Sequence, residues 1–126
     1  MIDSITKAFS KIFGTKTDKD LKELMPIVEQ INAVYNTMQG MSDDDLRTKT
    51  DELRNRIDEH LKSIDEEIAN LHQYIDEHPE LELDEKEATF DKIDQLEKDR
   101  NTELEKVLMD VLPEAFALVR ETARRL

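Results

Sequence analysis

Apolar residues recur every three or four positions along almost the whole chain, the spacing that lines one face of an α-helix. Ile2, Ile5, Phe9, Ile12 and Phe13 follow it with Lys7 and Lys11 in between, and Gly14 comes next as a stop, so residues 2–13 predict a short amphipathic helix. At 1.5 Å per residue such a helix is about 18 Å long, too short to cross a bilayer and long enough to lie on one. Leu21, Leu24, Val28, Ile31, Tyr35 and Met38 form the seam of a second helix, with Thr17 and Asp20 as its capping pair and its end near Gly40. Pro26 falls inside it and should kink the helix or mark its true first turn.

Ser42 followed by Asp43, Asp44 and Asp45 is an N-cap signal, since the hydroxyl accepts an orphan amide and the carboxylates suit the positive helix end. From Leu46 the periodicity runs through Leu53, Ile57, Leu61, Ile64, Ile68, Leu71 and Ile75 until His78-Pro79 stops it. That is one helix of about thirty residues, close to 50 Å. After a turn from Pro79 to Asp84, Phe90, Ile93, Leu96, Leu104, Val107 and Val111 carry another helix to a break at Leu112-Pro113. A last helix opens at Pro113 with Ala115, Phe116, Val119 and Ala123 on one face and Arg120, Arg124 and Arg125 near its end. Its pattern runs out at Leu126 with neither cap nor glycine, which reads as a longer helix cut short. The expected fold is all-α, a long antiparallel, coiled-coil-like helical hairpin with shorter flanking helices.

Composition sharpens this picture. The 126 residues carry 31 acidic and 18 basic side chains, a net charge of −13, which disfavours nucleic acid as a partner. Only 37% of residues are hydrophobic and there are two Gly and three Pro, so long helices with a thin core are expected. The chain has no Cys, hence no disulfide framework or thiolate chemistry, and a cytosolic setting is the plain expectation. No apolar run nears the roughly 18 residues of a membrane span, and no signal-peptide pattern is present. Charge is unevenly spread: residues 1–22 are net +2, whereas residues 54–106 hold 18 acidic and 8 basic side chains. That second stretch reads as a solvated, acidic hairpin.

Chemistry is sparse. His60, His72 and His78 lack the i, i+3 or i, i+4 spacing of paired metal ligands, and Asp43 to Asp45 lack the glycine and closing glutamate of a calcium loop. Carboxylate pairs such as Glu66-Glu67 and Asp84-Glu85 have no apolar surroundings to raise a pKa. With Gly14 and Gly40 as its glycines, the chain has no phosphate-cradling loop, so no catalytic, cofactor or metal residue is assigned. The first helix stands above this background. It either docks on its own domain through Ile5, Phe9 and Ile12 or meets a membrane or partner.

Two stretches carry a family likeness. One runs from Ile12-Phe13-Gly14-Thr15-Lys16 through Pro26-Ile27-Val28-Glu29-Gln30-Ile31-Asn32-Ala33 to Met41-Ser42-Asp43-Asp44-Asp45-Leu46-Arg47-Thr48-Lys49-Thr50. The other is Leu112-Pro113-Glu114-Ala115-Phe116-Ala117-Leu118-Val119-Arg120-Glu121-Thr122-Ala123-Arg124-Arg125. Both resemble the N-terminus of SecA, the motor family of bacterial preprotein translocation, over roughly residues 5–56 and 107–126. The resemblance implies a division into residues 1–16, an amphipathic helix; 17–56, a helical segment; 57–106, an acidic hairpin the family usually replaces by a short connection; and 107–126, a helix leading into an ATPase domain.

It further implies a cytoplasmic protein, peripherally associated with the inner face of the bacterial membrane, that binds the SecYEG channel and pushes preproteins through it. ATP and Mg would serve the full-length parent, at motifs beyond residue 126. By the same resemblance the first helix contacts acidic phospholipid and the channel and contributes to dimer contacts, through Ile5, Lys7, Phe9, Lys11, Ile12, Phe13 and Lys16. Physically, apolar side chains would enter the headgroup boundary while each lysine gains about 1 kcal/mol near an anionic surface. Two other readings stay open: a free-standing coiled-coil adaptor binding a protein partner, and a homodimeric spacer.

Overall fold

The computed structural model describes residues 2–126, and among them every regular element is a helix: α1 (Ile2–Phe13), α2 (Lys16–Met38), α3 (Asp43–Glu77) and α4 (Leu83–Arg125). The all-α expectation holds. Helix starts follow their side chains. Ser42 Oγ accepts from the Asp45 amide at 3.1 Å while Asp45 Oδ2 accepts from the Ser42 amide at 3.3 Å, a reciprocal capping box that opens α3. At the far end Pro79 bars its predecessor from helical geometry, and His78 sits at φ −123°, ψ 68°. The chain turns through Leu81, whose amide bonds the His78 carbonyl at 3.2 Å, before α4 begins.

Two boundaries differ from the sequence expectation. The second helix is capped two residues earlier, by Thr15 and Asp18 rather than Thr17 and Asp20. Both pairs have the same spacing, but Gly14 adopts φ +74° and ends α1, so the cap that follows directly is the one used. Pro113 also breaks nothing: α4 is continuous from Leu83 to Arg125, and Pro113 is buried within it. The lost N–H leaves the Met109 carbonyl without its intrahelical donor, a cost that packing on both sides of Pro113 offsets. Pro26 likewise lies inside α2, not in its first turn.

At 35 and 43 residues, α3 and α4 are about 52 and 64 Å long and pack together as an antiparallel hairpin. Leu61, Ile93 and Val107 are buried in the seam, with Ile57, Ile64, Ile68, Leu71 and Ile75 half-buried. Phe90 stays 47% exposed, outside the seam. Between Leu96 and Leu104 the seam is filled by Arg100, whose Nε donates to Asp65 Oδ1 of α3 at 2.5 Å. Arg56 and Lys49 reach Glu114 at 2.7 and 3.1 Å, and His60 reaches Glu103 at 2.8 Å. These pairs pin the register of the two helices.

The core is thin and local. Ten hydrophobic side chains are buried among the described residues, and seven of them form one cluster where α2, α3 and α4 meet: Tyr35, Met38, Leu46, Leu53, Val111, Ala117 and Leu118. Distal to Leu61 and Val107 the hairpin has, among the described residues, only its two-helix seam and projects as an arm.

Candidate functional site

The candidate docking helix and the junction that carries it can be built from the residues upward. Helix α1 has Asp3 in its first turn and Lys11 in its last, each opposite in sign to the helix end it faces. Ile5 is 58% exposed, and Lys7 and Lys11 are exposed. The side chains of Phe9, Ile12 and Phe13 lie outside the described residues. Lys16 is exposed at the first position of α2, across the Gly14-Thr15 corner from α1. That corner is fixed locally: Thr15 Oγ1 accepts from the Asp18 amide, and Asp18 Oδ2 accepts from the Thr15 amide, both at 3.1 Å. The Thr15 amide, and then its hydroxyl, hold the Asp18 carboxyl below its ordinary pKa.

The apolar stripe of α1 is followed by another on α2. Leu21, Leu24, Met25 and Val28 are each at least 40% exposed, whereas Tyr35 and Met38 farther along the same seam are buried on α4. Among the described residues, the buried contacts of α2 therefore fall in its second half.

Its anchor is a charged knot at the end of α4 that sequence reasoning missed. Glu121 is fully buried. It accepts from Arg124 Nη2 at 2.6 Å and from Arg125 Nε at 2.9 Å. Arg124 first, then Arg125, hold its carboxyl down to a pKa of about 2 against the opposing effect of burial. Arg125 then reaches outward. Its guanidinium donates to the Met41 carbonyl at 2.6 Å, to those of Met38 and Gln39 at 3.4 Å, and to Asp43 Oδ1 at 2.9 Å.

One side chain therefore satisfies orphan carbonyls at the end of α2 and pairs with a carboxylate at the start of α3. Nearby, Arg120 donates to Asn32 Oδ1 at 2.9 Å and lies 3.9 Å over the Tyr35 ring. Asn32 faces Arg120 and Met38 faces Arg125, so α2 runs parallel to α4 here, with the end of α4 wedged in the fork between α2 and α3.

The signal for this knot was present in the sequence. Glu121 continues the face of Pro113 and Ala117, two buried positions, and a carboxylate on an apolar face with arginines three and four residues on asks for internal pairing.

The histidines stay apart. His60 pairs with Glu103, His78 Nδ1 lies 2.8 Å from the Tyr74 carbonyl with its ring 4.4 Å from that of Tyr74 and tilted by 35°, and His72 is exposed. Among the described residues there is no cluster of three metal-ligating side chains, and no helix is long and apolar enough to cross a membrane.

Comparison with known proteins gives a consistent result. The family model for the SecA DEAD-like domain matches residues 9–126. The chain is 48% identical over 116 residues to a protein translocase subunit SecA of Cytophaga hutchinsonii, covering 92% of this chain and 10% of that protein. It is 40% identical over 119 residues to the SecA subunit of Amoebophilus asiaticus, covering 94% and 11%. To that of Prosthecochloris aestuarii it is 38% identical over 120 residues, covering 95% and 12%. The chain thus spans about a tenth of the length of the curated relatives it matches. Matches this long take in most of residues 57–106, so the hairpin has a counterpart in these relatives. No solved structure matches the chain.

Proposed function

Because the chain belongs to the SecA family, we propose that it is the N-terminal helical part of a protein translocase subunit, serving membrane and channel docking and structural support of the first ATPase domain. The observation that carries this reading is a family match over nearly the whole chain joined to a polarised charge distribution, with residues 1–22 at net +2 and residues 54–106 at net −10. Ile5, Phe9, Ile12 and Phe13 supply the apolar contact of α1, and Lys7, Lys11 and Lys16 meet anionic headgroups. A single short helix of this kind attaches weakly and reversibly, which suits a subunit that moves between cytoplasm and the inner face of the membrane. The SecYEG channel and the preprotein belong to the work of the longer protein, as do ATP and Mg, for which this chain has no phosphate loop.

The knot at Glu121 and Arg125 supports this division of labour: it anchors the C-terminal half of α2 and leaves the half that leads to α1 free to meet a surface.

The test is binding of the chain to vesicles of anionic phospholipid, followed by sedimentation across a salt series. Binding should weaken as salt rises and should fall at least tenfold when Lys7, Lys11 and Lys16 are changed together to Glu. No ATP hydrolysis should accompany it. Undiminished binding of the triple variant would overturn the lipid mechanism.

A further inference from the structure

One face of the arm departs from its charged surroundings. Leu83, Glu87, Phe90, Asp94 and Glu97 follow one another along α4 at spacings of four, three, four and three, so they share one exposed stripe about 21 Å long. Ile93 in the same turns is buried against α3, whereas Leu83 is 79% and Phe90 47% exposed. Two bulky apolar side chains thus stand bare beside a seam that is already closed, with one carboxylate between them and two beyond. Asp84 suits the positive start of α4, but Glu87, Asp91, Asp94 and Glu97 lie past the first turn at spacings of four, three and three. Like charges so placed weaken a helix. The ion pairs of the arm lie elsewhere, at Asp65 with Arg100 and around Glu103, and none of these four carboxylates takes part in one among the described residues.

We propose that this stripe is the docking surface for a basic amphipathic helix of another protein, one that sets two apolar side chains seven residues apart over Leu83 and Phe90 and Lys or Arg against Glu87, Asp94 and Glu97. Charge selects the occupant. Residues 54–106, at net −10, repel anionic lipid and nucleic acid alike, whereas a cationic polypeptide relieves the repulsion among the stripe's own carboxylates. Spacing selects a helix. Leu83 and Phe90 are about 10.5 Å apart along α4, the distance over which a helix repeats one face, while side chains on one face of a strand recur about every 6.6 Å. The surface stands on the arm alone, so it adds a partner to the translocase reading without depending on it.

The test uses the full-length protein that the gene encodes and two fluorescein-labelled synthetic helical peptides. The matched peptide carries two Leu seven residues apart with Arg between and beyond them on the same face. The control has the same composition with its arginines moved to the opposite face. By fluorescence anisotropy at low salt, the matched peptide should bind at least tenfold more tightly than the control. Phe90→Ala should weaken the matched peptide at least fivefold, and Glu87→Lys with Asp94→Lys at least tenfold. Glu66→Lys with Glu67→Lys, an equal change of charge at exposed positions of α3, should weaken it less than threefold. Circular dichroism checks that each variant keeps its helix content. Should the double reversal disturb folding, Glu87→Gln with Asp94→Asn gives the same comparison against Glu66→Gln with Glu67→Gln. Equal losses from the two charge changes would reduce the stripe to diffuse acidity and overturn the proposal. So would a matched peptide that fails to bind, binds no better than the control, or ignores Phe90→Ala. A concentration-dependent dimer that Phe90→Ala abolishes would assign the stripe to a second copy and overturn it as well.

Discussion

Replacing Met38 by Ala tests whether the fork holds the molecule together. Met38 is fully buried, on the C-terminal turn of α2, in a cluster drawn from three helices. The substitution deletes Cγ, Sδ and Cε, worth about 2 kcal/mol at roughly 0.8 kcal/mol per methylene-sized group. An unrelaxed void of about 70 Å³ would add about 1.7 kcal/mol at roughly 24 cal/mol per Å³. Helix ends that close in would recover part of that, so the expected loss is about 2–4 kcal/mol. Urea unfolding followed by far-UV circular dichroism reads it as a midpoint shift of about 1–2 M, for a slope of about 2 kcal/mol per M. Ile68→Ala, at a half-buried seam position of the arm, is the comparison, with an expected cost below about 2 kcal/mol because the site is already partly open to water. If Met38→Ala costs less than Ile68→Ala, the idea that the three-helix junction carries the fold is wrong.

Three further outcomes follow from the same structure. Ser42→Ala should destabilise the chain by about 1 kcal/mol in the same urea assay, since it strips one half of a capping box, and Ser42→Asp should restore most of the loss. Glu121 has a folded pKa of about 2 against an ordinary 4.5, so its contribution to stability is complete above pH 5.5 and is lost as pH falls through 4.5 towards 2. Urea midpoints between pH 2 and 6 should therefore converge for the parent and Glu121→Gln at the acid end, and a constant gap across that range would refute the pairing. At Gly14, φ +74° costs an L-residue about 1–2 kcal/mol, so Gly14→Ala should favour joining α1 and α2 into one helix, read as a longer spin-label distance between positions 5 and 24.

Much of the fold was legible because it is written in local rules. Ser42 with Asp45, Gly14, and Pro79 after His78 each act within one turn of chain, and each marks a boundary within a few residues. The misplaced start of α2 arose where two Thr-x-x-Asp boxes overlap, and only the neighbouring left-handed glycine chooses between them. Pro113 was misjudged for the opposite reason. Its penalty is local, but burial of Val111, Ala117 and Leu118 around it depends on α2 and α3, which no window of sequence contains. The knot is likewise long-range, since Arg125 answers carbonyls more than eighty residues earlier. For α1, residues 2–13 predict a helix and the structure has one, with Ile5, Lys7 and Lys11 exposed, because a 3.6-residue period in twelve residues needs no partner to be recognised.

The unbroken passage of α4 through Pro113 has a mechanical consequence. One rod belongs both to the fork and to the arm, with no joint between them among the described residues. A tilt of about 10° at the fork would sweep the arm's tip, some 35 Å away along the helix, through about 6 Å. Movements too small to disturb the buried cluster would thus be magnified at the acidic end, and a load applied there would be felt, reduced in travel and increased in force, where α2 meets α3.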